Sequence, residues 1–125
     1  MRQIADGISD GDLAVLQAAS DPELEYASRL TAIEGRTYHG HAGWSAYLAD
    51  LAAARDAFRV TVGELTPVSD GIFVATVRIA AVARESGVPI DQVVHAAWSL
   101  RDGKAIWGHT YGTREEALEA ARARE

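Results

Sequence analysis

The apolar positions of the chain change period several times, and each change marks an element. Leu13, Leu16 and Ala19 share one face at helical spacing after Asp10-Gly11-Asp12, and Ser20-Asp21-Pro22 ends that run. Ser9, three residues before Asp12, has the spacing of a helix cap. From Glu23 to Leu30 the period becomes two, with Leu24, Tyr26 and Ser28 on one side and Glu25, Ala27 and Arg29 on the other. That alternation predicts a first strand. A turn-rich connection from Gly35 to Gly43 leads into the clearest helical pattern, from about Trp44 to Phe58. There Trp44, Tyr47, Leu48, Leu51 and Phe58 form one stripe, filled in by alanine and leucine.

The second half reads as two hairpins and a helix. Arg59 to Val68 and Ile72 to Ala83 meet across Ser69-Asp70-Gly71. The second of these strands is apolar on both faces except at Thr76 and Arg78, so both faces are expected to be covered, one by helices and the other by a second subunit. Gln92 to Leu100 and Ala105 to Gly112 flank Arg101-Asp102-Gly103-Lys104, a sequence that turns easily. Thr113 stands three residues before Glu116, a capping box that opens a terminal helix. Helix, strand, long helix, four strands and a helical tail make an α+β chain, read as one domain over residues 1–125.

Composition narrows the function classes. A chain of 125 residues, 48% of them hydrophobic, suffices for one core. The net charge of −6 and the absence of any basic run argue against nucleic acid as a partner. No cysteine is present, no segment is apolar enough to span a bilayer, and the N-terminus lacks the apolar run of a signal peptide. A cytoplasmic protein is the expectation. His39, His41, His95 and His109 show no metal-ligand spacing, so no metal is expected. The glycine-rich turns have no phosphate-loop pattern, and no cofactor is expected.

A set of local motifs adds a resemblance. Gly11-Asp12-Leu13, Asp21-Pro22-Glu23-Leu24-Glu25-Tyr26, Tyr38-His39-Gly40, Trp98-Ser99-Leu100-Arg101-Asp102-Gly103-Lys104 and Thr113-Arg114-Glu115-Glu116-Ala117-Leu118 follow one another at characteristic spacings. In this the chain resembles the SnoaL-like polyketide cyclases of the nuclear-transport-factor-2-like superfamily, over nearly its whole length. The resemblance implies a cone-shaped fold, a curved, mostly antiparallel sheet wrapped on a long helix, with a pocket between that helix and the concave face. It also implies a homodimer through the other face. A fold of this kind carries many chemistries, so the residues decide. The ketosteroid isomerase positions of the superfamily fall on Ile4, Tyr26 and Ala96, and the cyclase His-Trp-Asp stretch falls on Gly108-His109-Thr110. Neither set of acids is present.

Register decides which face the last hairpin presents. A two-residue Asp102-Gly103 turn would pair Trp98 with Trp107 and Ala96 with His109. A three-residue turn with a glycine bulge would oppose Trp98 to Ile106 and His95 to His109. We favour the second, in the register that family members use for their pocket residues. It puts Val94, Ala96, Trp98, Ile106, Gly108 and Thr110 on the concave face and leaves His95, Trp107, His109 and Tyr111 outside as a dimer surface. Facing histidines would make that dimer sensitive to acid. The candidate site is then Tyr26 and Thr110 as hydrogen-bonding groups, with Trp44, Tyr47 and Trp98 as walls. His39 is the candidate acid–base at the pocket mouth, paired with Tyr26 in any catalytic role. The expected ligand is a small apolar molecule, aromatic or polycyclic, which a cyclase, isomerase or hydrolase-like enzyme would transform. The rival expectation is a non-catalytic dimeric binding or scaffold domain. An aromatic stripe such as Trp44, Tyr47 and Phe58 is more often plain core than pocket wall.

Overall fold

Six strands form one mixed sheet in the order β2-β1-β6-β5-β4-β3, and the helices lie on its two faces. The computed structural model describes residues 2–28 and 37–125. Helices α1 (Arg2–Asp10) and α2 (Leu13–Ala18) precede β1 (Ser20–Ala27) and β2 (Thr37–His39). The long helix α3 (Gly40–Ala54) is followed by β3 (Arg55–Ser69), β4 (Ile72–Ala83), β5 (Pro89–Arg101), β6 (Lys104–Tyr111) and α4 (Arg114–Ala123). All neighbouring strands are antiparallel except β1 and β6. The fold is α+β, and its sheet is not closed into a barrel.

Alternation along β1 has the predicted sense, with Leu24, Tyr26 and Ser28 all buried. The strand begins earlier than expected, at Ser20, and takes Pro22 into it. The ladder to β6 is irregular between Ser20 and Glu25, so the missing N–H of Pro22 breaks no regular pairing. Arg29 and Leu30 of the predicted strand, and Gly35 of the predicted connection, lie outside the described residues. Part of that connection is the short strand β2, whose Tyr38 pairs with Tyr26.

Helix α3 buries Trp44, Tyr47 and Leu51, but it ends at Ala54 rather than Phe58. Pairing of Arg55 with Ala83 and Asp56 with Val82 takes the chain into β3, and Ala57 turns it with a positive φ of 51°. Phe58 therefore packs on the core from a strand. At the other end, α1 is a separate helix. Ile4, Ala5 and Ile8 give it one apolar stripe, and Gly7 lets α2 approach, because a Cβ there would stand 2.9 Å from Leu16. Ser9 does not cap α2. Asp12 does so, accepting from the Val15 N–H, while Ser9 bonds the backbone of Val60.

Neither expected hairpin register is the one that forms. Asp102 and Gly103, with φ of 53° and 78°, make a two-residue turn of the type I′ form, and Arg101 pairs with Lys104. A bulge then leaves Ile106 unpaired, so Trp98 opposes Gly108, Ala96 opposes Thr110 and His95 opposes Tyr111. Parity is the same as in the favoured register, so Val94, Ala96, Trp98, Gly108 and Thr110 keep the concave face. Two expectations are corrected. Ile106, the bulged residue, packs with the outer cluster, and His109 faces Ala97 rather than His95.

The outer face is partly covered by this chain's own α4. Thr113 caps that helix as predicted, accepting from the Glu116 N–H. Ala117 and Ala121 lie in one cluster with Ile72, Val74, Ala97 and Trp107. The Arg124 guanidinium sits 4.7 Å from the Trp107 ring centre. Trp107 is thus buried within the subunit, a correction to its expected place on an open dimer surface.

Candidate functional site

The concave face places its aromatic residues in one stack around Tyr26. Its ring stacks on Trp98 at 5.5 Å, meets Tyr47 edge-on at 4.9 Å and lies 4.9 Å from Trp44. Three elements build this group: β1 contributes Tyr26, α3 contributes Trp44 and Tyr47 one turn apart, and β5 contributes Trp98. Trp98 lies across Gly108, and a Cβ on that glycine would fall 2.4–2.8 Å from ring atoms Cζ3, Cε3 and Cη2. The absent side chain is what lets a tryptophan lie flat there.

Beside this stack is an apolar recess. Ala5 and Ile8 of α1 close it on one side, with Val60 of β3 next to them. Val77 and Ile79 of β4 and Val94 and Ala96 of β5 form its floor, and Tyr26, Trp98 and Thr110 bound the remaining side. The closed cavity is ≈ 20 Å³, and the wider recess of ≈ 330 Å³ includes its opening to solvent. A single water fits the smaller volume.

Polar groups around the recess are few. Tyr26 donates from its phenol to the Tyr47 hydroxyl at 3.4 Å, and Ser28 Oγ lies 3.2 Å from the same oxygen. Burial pushes the Tyr26 phenol up, partly offset by its bonds to Tyr47 and Ser28. Burial holds Tyr47 well above the usual phenol range. Both hydroxyls therefore stay neutral at physiological pH. Trp44 donates to Ser20 Oγ at 2.8 Å, which itself donates to the Leu16 carbonyl at 2.7 Å. Trp98 has no such arrangement. The residue is 2% exposed, and Nε1 has no acceptor among the described residues. An unmet N–H of this kind costs about 1–3 kcal/mol.

Among the residues expected to make the site, Tyr26, Trp98 and Thr110 line the recess together. Trp44 and Tyr47 stand behind Tyr26 as packed core, and neither is part of the recess wall. His39 is exposed on β2, opposite Glu25, and does not line the recess. The other histidines are dispersed: His41 Nε2 lies 2.9 Å from the Ser20 carbonyl, and His95 Nδ1 lies 3.3 Å from Thr76 Oγ1. His109 acquires a carboxylate partner that its own neighbourhood in the chain did not suggest, Glu25 at 2.8 Å. It is stacked between Trp107 and Tyr111 on the outer face. Among the described residues no three His, Asp or Glu side chains gather as a metal site requires. The walls that sequence reading missed are Ala5, Ile8, Val60, Val77 and Ile79. The i, i+4 spacing of Ile4 and Ile8 was a usable signal for the first two.

No family model matches this sequence, and no curated protein matches it. Solved structures match its fold over nearly the whole chain. One is a hypothetical protein with a ketosteroid isomerase-like fold from Catenulispora acidiphila, in complex with trimethylamine; it is 12% identical, with a TM-score of 0.78 over 97% of this chain and 90% of that one. TerC, co-crystallised with polyporic acid, is 20% identical, with a TM-score of 0.77 over 94% of each chain. A candidate SnoaL-like polyketide cyclase from Jannaschia is 20% identical, with a TM-score of 0.72 over 96% of this chain and 86% of that one. At such identities the likeness is one of fold. The chain has the nuclear-transport-factor-2-like fold, as found in SnoaL-like proteins.

Proposed function

We propose that this protein binds a small apolar molecule, aromatic or polycyclic, in the recess between α1 and the concave face of the sheet. The observation that carries the reading is the recess itself, walled by aliphatic side chains from four elements and by the Tyr26–Trp98 stack. Apolar walls with one or two oriented polar groups are the usual form of a small-molecule site. Two structures of this fold hold small molecules, trimethylamine in one and polyporic acid in the other, which adds support. Tyr26 and Thr110 are the proposed hydrogen-bonding groups and Trp98 the wall, with Trp44 and Tyr47 holding Tyr26 in place. Among the described residues Tyr26 is the one titratable side chain on the recess wall, and burial keeps its phenol protonated. We therefore favour binding over turnover by cyclisation, isomerisation or hydrolysis. A role for His39 in acid–base chemistry would require a ligand that extends out of the recess.

Isothermal titration with a panel of polyketide-like aromatic compounds tests the reading. We expect binding to the native protein, weakened in Tyr26→Phe and Trp98→Ala. Equal affinity for all three proteins would overturn the site assignment. The small closed volume favours a second reading, a scaffold domain with a filled cone, and absence of binding across the panel would support it. We further propose a cytoplasmic homodimer. Among the described residues no helix is long and apolar enough to cross a membrane. The second copy would cover the part of the outer face that α4 leaves open.

A further inference from the structure

Three features of Trp98 converge on one role. Its benzo edge, with Cε3, Cζ3 and Cη2, is the part that rests on Gly108, so Nε1 lies on the opposite edge of the ring. One face of the indole is taken by Tyr26. The residue lines the recess, is almost wholly buried, and its N–H has no acceptor among the described residues. Trp44, a few ångströms away across Tyr26, is also fully buried, yet its N–H is met by Ser20 Oγ. Satisfying a buried indole is thus within reach of this fold, and Trp98 departs from it at the recess wall.

We infer that the Trp98 N–H is the specificity-determining donor of the site, and that the ligand is a neutral, ring-sized molecule presenting one carbonyl or ether oxygen to it. The inference rests on the proposed binding role of the recess. The acceptor is required by the donor: an N–H can be met only by a lone pair. Neutrality follows from the walls, which carry no charged side chain. A carboxylate would enter without a cation to pair with it, and an ammonium would meet another donor and no carboxylate. Shape follows from the walls, where the stacked pair Tyr26 and Trp98, nearly parallel at 15°, bounds the recess beside aliphatic residues. Tyr26 gives its proton to Tyr47, which leaves its oxygen to the ligand as an acceptor, and Trp98 is the donor of the pair without a partner among the described residues.

The test compares 1-indanone with indane, which differ by a carbonyl in place of a methylene. Affinities are measured by titration calorimetry, and the indole N–H resonances are followed by NMR in the native protein. The Trp98 signal is identified by its loss in Trp98→Phe, a variant that keeps an aromatic ring against Tyr26. We expect 1-indanone to bind about tenfold tighter than indane, the worth of one buried hydrogen bond. We also expect the Trp98 N–H proton to move downfield with the ketone only. In Trp98→Phe the two compounds should bind alike. Equal binding to the native protein with no downfield shift would overturn the role of Trp98 while leaving the pocket intact. A ketone preference that survives in Trp98→Phe would also overturn it. Failure of both compounds to bind would overturn the pocket and this inference together, leaving the indole met by water.

Discussion

Trp98 and Gly108 form the tightest contact at the residue scale, and its geometry predicts a measurable cost. A methyl group on Gly108 would stand 2.4 Å from Cζ3, closer than unbonded carbons approach, and the ring cannot retreat because Tyr26 stacks on it. Gly108→Ala is expected to destabilise the fold by about 1–3 kcal/mol, as overpacking of a core does. Urea denaturation measures this, and a loss below about 0.5 kcal/mol would mean the indole is free to move. Gly108 is legible as a small residue in the sequence, but its reason is not. The ring that needs the space comes from the neighbouring strand, through a register that a bulge displaced by one residue from the simple two-residue-turn pairing.

Among the elements, α1 is the wall of the recess with the slightest attachment. Ser9 Oγ accepts from the Val60 N–H at 2.8 Å, and Asp10 pairs with Arg59 at 3.2 Å where both side chains are exposed. An exposed ion pair contributes little, so the serine bond is the main polar tie between α1 and β3. Ala5 and Val60 line both the recess and a shallow groove on the surface, which makes the α1–β3 seam the thinnest part of the wall. The recess as it stands holds about one water, so a ring-sized ligand needs its walls to give way, and this seam is where we expect them to. Ser9→Ala is expected to cost about 1 kcal/mol and to speed amide exchange across α1 before the rest of the protein. Uniform exchange would show that α1 moves only with global unfolding. Helix α1 escaped the sequence reading because its stripe spans barely two turns and contains Gly7, a poor helix former whose value is the contact it allows with Leu16.

For the whole molecule, assembly depends on which part of the outer face is already covered. Trp107 lies under α4 with Ala117, Ala121 and Arg124, so Trp107→Glu should unfold the subunit rather than dissociate a dimer. The open part lies over β4 and β5, where Val93 is 51% exposed opposite Arg78. If the proposed homodimer forms there, Val93→Glu is expected to turn it into a folded monomer in sedimentation, and a dimer indifferent to the change would place the interface elsewhere. His95 faces Tyr111 and not His109, so acid sensitivity from facing imidazoles is no longer expected. The sequence alone determined what local rules govern: the Thr113 cap, the alternation along Glu23 to Ser28, the stripe of Trp44, Tyr47 and Leu51, and the α+β order. These follow from backbone period and short-range hydrogen bonding, which neighbours in the chain decide. Tertiary structure decided the rest. The end of α3 yielded to pairing between Arg55 and Ala83, the bulge at Ile106 set the partners of Trp107 to Tyr111 and so the parity that puts Trp98 inside, and α4 claimed Trp107. Glu25 met His109, and Trp98 was left without an acceptor, because each depends on groups brought together from distant strands. Burial and pairing of that kind are properties of the assembled sheet, and no local pattern encodes them.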